Sequence, residues 1–257
     1  ATSSVDALIH AVESFLSPKA SPFTEMYSIK AIEMIMNGYK EIIEKGGNTK
    51  ENRADLLKDF CLAANYAGIA FGNAGCGAVH ALSYAHGGAF HIPHGEANFI
   101  CFTEVFKMYM RKQPVGKIQI ANKLFADVLG CAEADVYTAL DDFLGKIIEK
   151  KPLKEYGMTE DQVAAFAKST VDNQQRLLGN NYVPLTEEEM LPLGIKKEDI
   201  QVDFAEGDMV VVTGGAWKDT AGVISALSTQ KQTVTINVEL FGRETPVEIS
   251  FAEIKKA

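Results

Sequence analysis

The sequence predicts a multidomain chain: an all-α helical bundle over residues 1–190, a linker at 191–203, and a small all-β barrel over residues 204–257. Two patterns carry this. Up to about residue 190 apolar residues recur at helical spacing, whereas from Val202 onward the period drops to two in short β-branched runs. At 257 residues the chain can bury a full core as one large domain or two unequal ones.

Ser3 or Ser4 is expected to cap a first helix running to about Leu16, with Asp6 in its first turn and Pro18 and Pro22 as punctuation. A second helix is expected from about Phe23 to Lys45, stopped by Gly46 and Gly47. A third should cover about Lys50 to Gly72 and a fourth Ala74 to Ala85, after which Gly87 and Gly88 break the pattern. Pro93 fits the first turn of the next helix, and helical spacing then recurs through 95–111, 116–129, 134–149 and 160–178. In the second part MVVVT, AGVISAL, QTVTINVEL and TPVEISF read as strands, separated by Gly214-Gly215, Thr229-Gln230-Lys231 and Phe241-Gly242-Arg243. Four or five such strands in under 60 residues suggest a small antiparallel barrel.

A formal net charge of −9 argues against broad nucleic-acid binding and against attraction to anionic membranes. No apolar run reaches transmembrane length, and the N-terminus lacks the basic flank and apolar core of a signal peptide, so the expected location is cytoplasmic. Cys61, Cys76, Cys101 and Cys131 form no C-x-x-C pair and read as buried free thiols in a reducing compartment. A start at Ala1, without methionine, suggests a processed product or a fragment.

All five histidines, His10, His80, His86, His91 and His94, fall in the first 94 residues, and four lie between positions 80 and 94. Such clustering points to a site. Asp6 and His10, four apart on a helix, project from one face a turn apart, as two metal ligands do. Imidazoles with one carboxylate suit ferrous iron or zinc better than calcium or magnesium. His86, beside Gly87, reads as a helix C-cap or a substrate-loop residue, and His91 is open between a contact to a ligand or substrate and a solvated loop residue. Glu96 reads as a first-turn carboxylate favoured by the macrodipole, and Asn98 and Phe99 as packing residues. The run GNAGCG at 72–77 follows no strand, so close helix packing explains it better than a phosphate-binding turn; no Walker A and no G-x-S-x-G sequence occurs.

The motifs V-D-A-L-I-H at 5–10, G-A-V-H-A-L-S-Y at 77–84 and H-I-P-H-G-E-A-N at 91–98, in that order, resemble the C-terminal, helical, metal-binding domain of the iron-containing (group III) alcohol dehydrogenases. The resemblance covers residues 1–190 and is strongest to the members that act on 4-hydroxybutyrate. It implies an oxidoreductase of small alcohols or hydroxy acids, with Asp6, His10, His80 and His94 as ligands of Fe2+ or Zn2+, and leaves homo-oligomer formation open. Many members carry a proton-relaying histidine four residues after the third ligand. Here that position is Tyr84, so His91 or Tyr84 is the candidate catalytic substitute. The family's Rossmann-like domain with its G-G-G-S turn finds no match in these residues, so NAD is expected only if another chain supplies a nucleotide-binding domain.

The runs F-A-E-G-D-M-V-V-V at 204–212, G-G-A-W-K-D-T-A-G-V at 214–223 and L-F-G-R-E-T-P-V-E at 240–248 resemble the C-terminal KOW domain, an SH3-like barrel, of the transcription factor NusG. That resemblance implies docking of a small-subunit ribosomal protein or the Rho factor. Trp217 reads equally as an exposed docking aromatic, joined by Phe241 and Arg243 on another turn, or as a cap on the barrel. Five basic against eight acidic residues over 201–257 disfavour nucleic acid as the partner. Two readings follow. One is the metal-binding half of an iron-dependent alcohol dehydrogenase fused, naturally or by engineering, to a KOW docking module. The alternative is a transcription elongation, termination or antitermination-type binding module on a non-catalytic helical carrier.

Overall fold

Val5, Leu8, Ile9, Val12 and Phe15 recur along α1 (Thr2–Leu16), and all are buried together with Ala7, Ala11 and Leu16. A helix apolar on so many sides is enclosed by its neighbours, and α1 lies against α2 (Pro22–Glu44), α4 (Leu57–Ala74) and α6 (His94–Lys112). The computed structural model describes residues 1–190, 205, 207–214, 217–218, 220–228, 233–240, 243–250 and 254–256. The chain divides into two compact units, Ala1–Lys196 and Lys197–Ala257. The expected linker at 191–203 lies outside the described residues.

Several expected boundaries are corrected. Neither Ser3 nor Ser4 caps α1: its N-cap is Ala1, and the Ser4 hydroxyl donates to the Ala1 carbonyl at 2.9 Å. For α2 the cap is a reciprocal pair, with the Ser21 hydroxyl accepting from Thr24 N–H and the Thr24 hydroxyl accepting from Ser21 N–H, ahead of Pro22 in the first turn. The expected third helix is split into α3 (Lys50–Ala54), capped by Thr49, and α4. Ala63, Ala67, Ala70 and Ala74 form the buried stripe of α4, short side chains that let it approach α1 and α2 closely.

Gly87 and Gly88 do not break the chain. They lie inside α5 (Ala78–Phe90), which ends at His91 in the left-handed region, φ 53°. A glycine costs a helix interior about 1 kcal/mol, which packing of α5 on α6 offsets here: a Cβ on Gly87 would press Ala97 Cβ at 3.3 Å. Pro93 is the N-cap of α6, one position before the first turn. The next residue but one, Gly95, meets the backbone of Thr2 so closely that a Cβ there would stand 2.1 Å from the Thr2 carbonyl oxygen. Only glycine allows this approach, and it brings His94 beside Asp6. Helices α7 (Lys117–Leu129), α8 (Val136–Gly145), α9 (Glu160–Asn173), α10 (Gln175–Leu178) and α11 (Glu187–Met190) follow, the expected 160–178 helix being interrupted at Gln174. No helix among the described residues is long and apolar enough to cross a membrane.

The second unit is a five-stranded antiparallel sheet of β1 (Met209–Val212), β2 (Ala221–Ser228), β3 (Thr233–Leu240), β4 (Arg243–Ser250) and β5 (Ile254–Lys256), in the order β4-β3-β2-β1-β5. Val234, Ile236 and Val238 alternate inward along β3 and meet Val210, Val212, Ile224, Ile249 and Ile254. Trp217 is half-buried against this cluster, as a cap would be. Arg243 opens β4 opposite Leu240 and is not in the turn; Phe241 lies outside the described residues.

Candidate metal centre

Asp6, His10 and Glu13 follow one another at helical spacing on α1, His80 sits in the first turn of α5, and His94 is the first residue of α6. Three helices therefore deliver these groups to one place. Asp6 Oδ1 stands 3.3 Å from His80 Nε2 and 3.6 Å from His94 Nε2, while Asp6 Oδ2 is 3.7 Å from His10 Nδ1. Ligand atoms of Asp6, His80 and His94 all lie within 4.8 Å of one another, and so do those of His10, Cys76 and His80. The His10 ring is sandwiched, 4.3 Å from His80 and 4.0 Å from Phe71 between centroids.

His80 is buried, and its Nε2 has no hydrogen-bond partner of acceptable geometry, since the Asp6 contact is a long, poorly aligned ion pair. A buried nitrogen without a partner is costly unless something else binds it. Burial by itself lowers the affinity of these imidazoles for protons. For His10 burial wins, helped by the charge of His80, and holds it down to about 4. For His80 burial is outweighed by the carboxylates of Asp6 and Glu13, which push it up to about 9. Asp6 also resists burial and is lowered, by its contact with His80 and the charges of the three histidines. The donor set of imidazole nitrogens and one carboxylate fits a borderline divalent metal.

Three further residues join the cluster that were not expected there. Glu13, 4% exposed, places Oε2 2.6 Å from His80 Nδ1 and accepts the Val79 N–H on Oε1 at 2.7 Å. Asn98, expected only to pack, donates to Asp6 Oδ1 at 2.7 Å and lies 3.2 Å from His94 Nε2. Cys76, expected as an inert thiol, sits beside His10 and His80, and burial raises its pKa. Only Glu13 left a trace in the sequence, as the third member of the Asp6, His10, Glu13 spacing. The four cysteines are free as expected, but Cys61 is exposed and Cys131 half-buried.

Other expected residues lie elsewhere. His91 is exposed at the end of α5 and is not among the grouped ligands, while Tyr84 is exposed and stacks on His94 at 5.8 Å. His86 is neither cap nor loop residue: it is buried inside α5 with Nε2 3.1 Å from the Ala97 carbonyl. Glu96 accepts a hydrogen bond from the Tyr156 hydroxyl. Phe99 packs as expected, fully buried. In the GNAGCG run a Cβ on Gly77 would crowd Asn181 Oδ1 at 2.8 Å, in the non-helical segment after α10, whereas one on Gly72 would meet nothing within 4 Å, so helix-on-helix packing does not account for the run.

Residues 1–197 match the Fe-containing alcohol dehydrogenase family, C-terminal. The chain is 54% identical over 190 residues to a 4-hydroxybutyrate dehydrogenase of Clostridium kluyveri, covering 74% of this chain and 50% of that protein. It is 33% identical over 192 residues to a long-chain-alcohol dehydrogenase of Geobacillus thermodenitrificans, covering 73% and 47%. Among solved structures, an iron-containing alcohol dehydrogenase from Thermococcus thioreducens superposes with a TM-score of 0.56 at 28% identity, over 75% of this chain and 48% of that one. A 1,3-propanediol oxidoreductase shares the fold, with a TM-score of 0.64 at 24% identity over 75% and 50%. The chain thus spans about half the length of the curated relatives it matches. These matches support the dehydrogenase resemblance and lend none to a KOW or NusG module or to a transcription role. On the family match over residues 1–197, the chain belongs to the Fe-containing alcohol dehydrogenase family, as its C-terminal domain.

Proposed function

We propose that residues 1–190 are the metal-holding half of an alcohol dehydrogenase acting on a small alcohol or hydroxy acid of the 4-hydroxybutyrate type. Asp6, His10, His80 and His94 would hold Fe2+ or Zn2+. The observation that carries this reading is the convergence of Asp6, His80 and His94 ligand atoms within 4.8 Å around a buried imidazole nitrogen that lacks a partner. When bound, such a metal supplies Lewis acidity to the substrate's alcohol oxygen. Around it, Asp6 supplies the negative charge, the His10 ring is held in its stack by Phe71, and Asn98 holds Asp6 Oδ1 in place. Tyr84, exposed and stacked on His94, is one candidate for carrying a proton to solvent; His91 would act from the end of α5. The nicotinamide that accepts hydride would be bound by polypeptide outside these 257 residues, in keeping with relatives of twice the length. Homo-oligomer formation and a cytoplasmic location remain part of the proposal.

Elemental analysis tests the ligand set. The wild-type chain should retain about one Fe2+ or Zn2+, and His94→Ala should lose most of it, because a four-ligand site is left one ligand short. Full retention by His94→Ala would refute the assignment. A second reading concerns residues 204–257, where the separate core and five antiparallel strands are compatible with a KOW-type barrel that docks a ribosomal protein or the Rho factor. Trp217, Phe241 and Arg243 would carry the docking. Resonance shifts on titrating the chain with RNA but not with the ribosomal protein would oppose it.

A further inference from the structure

We propose that Glu13 is a positioning residue for His80, keeping a proton on Nδ1 so that Nε2 is the nitrogen presented to a metal. The inference rests on the ligand set proposed above and extends it to a residue that never touches the metal.

Glu13 Oε2 stands 2.6 Å from His80 Nδ1, within hydrogen-bond range, and a carboxylate oxygen so placed favours the tautomer whose hydrogen is on Nδ1. The opposite nitrogen, Nε2, is then the one that faces Asp6 Oδ1 and has no hydrogen-bond partner. Glu13 cannot drift from this task. Its other oxygen accepts the Val79 N–H at 2.7 Å, in the first turn of the helix that carries His80, and the side chain is 4% exposed. One carboxylate therefore fixes both the backbone that carries the imidazole and the imidazole itself. A ligand ring whose remote N–H is held by a carboxylate is both oriented and made more basic.

The simpler alternative is that Glu13 merely caps α5, whose N-cap, Gly77, has no side chain to do so. Capping needs one oxygen and is indifferent to the proton on Nδ1. Glu13→Gln separates the two roles. Glutamine has one accepting oxygen, so it can serve the Val79 N–H or the His80 Nδ1–H but not both, and its NH2 group opposes whichever it leaves.

The test uses the full chain with Zn2+, which is diamagnetic. Long-range 1H–15N spectra of the Zn2+-loaded wild type should show His80 bound through Nε2, with a slowly exchanging proton on Nδ1. Glu13→Gln should weaken Zn2+ binding about 10- to 100-fold in a chelator competition, with helix content unchanged by circular dichroism. Binding within twofold of wild type, or ligation through Nδ1, would overturn the proposal while leaving the ligand set intact if His94→Ala still loses its metal. Should Glu13→Gln fail to fold, the wild-type spectrum decides alone. Absence of Zn2+ binding by the wild type would remove the ligand set, and this inference with it.

Discussion

In the β unit every buried side chain among the described residues is β-branched and apolar: Val210, Val212, Ile224, Val234, Ile236, Val238, Ile249 and Ile254. The helical unit instead encloses Glu13, His80, His86, Asn98 and Asn122 among its phenylalanines and leucines. A sheet with alternating inward residues reaches a closed interior from aliphatic groups alone. Burying a carboxylate and imidazoles is unfavourable unless each is paired. The contrast separates what packing demands from what packing would avoid, and the buried carboxylate and imidazoles gather where α1, α5 and α6 meet.

The comparison is tested most severely by Phe106→Ala. Phe106 is fully buried and makes edge contacts with Phe102 and Tyr109 at 5.0 and 5.4 Å, so its truncation should cost about 3–5 kcal/mol. A denaturant titration followed by helical circular dichroism should show the loss. Trp217, the sole tryptophan, reports on the β unit, and its fluorescence transition should not move. A joint shift would mean that the two units unfold together.

Next in size is a polar pair with no part in the metal centre. The Tyr137 hydroxyl donates to Asn122 Oδ1 at 2.5 Å in the interior of the helical unit. Tyr137→Phe should cost about 1–3 kcal/mol, because the Asn122 oxygen is left buried without a donor. A change below about 0.5 kcal/mol would show that pairing is not what makes these polar groups tolerable.

Ile236→Val removes one methylene from the purely aliphatic interior. It should cost about 0.5–1.5 kcal/mol, seen in the Trp217 transition and absent from the helical signal. The smallest effect is chemical. Burial pushes the Cys101 thiol up to about 12, while Cys61 is exposed. A thiol reagent near neutral pH should therefore label Cys61 quickly and Cys101 only after unfolding. Equal rates, read by peptide mass analysis, would show that the helical core opens readily.

Much of the helical unit was legible because its signals are local. Apolar spacing marked α1, α2, α6 and α7, and the i, i+4 pair Asp6 and His10 together with the proline before His94 marked the site. Gly87 and Gly88 misled for a physical reason: helix propensity is worth about 1 kcal/mol per glycine, and contact between α5 and α6 exceeds it. Ser3 and Ser4 misled because a capping side chain is recognised only once the helix start is known, and that start lay earlier.

By itself the sequence determined element types, the two-part division in hydrophobic period, and which side chains were chemically able to bind a metal. Tertiary structure alone decided which of them meet. Glu13 reaches Val79 and His80 across 66 and 67 residues, Asn98 reaches Asp6 across 92, and no period in the chain encodes those separations. They arise because Gly95 lets α6 touch the start of α1, and because the packing of α1 among its neighbours leaves Glu13 buried and Asp6 and His10 only partly exposed. Long-range contact is fixed by how surfaces fit, and fit depends on shape in three dimensions, which residue type and spacing specify only jointly with every neighbouring element.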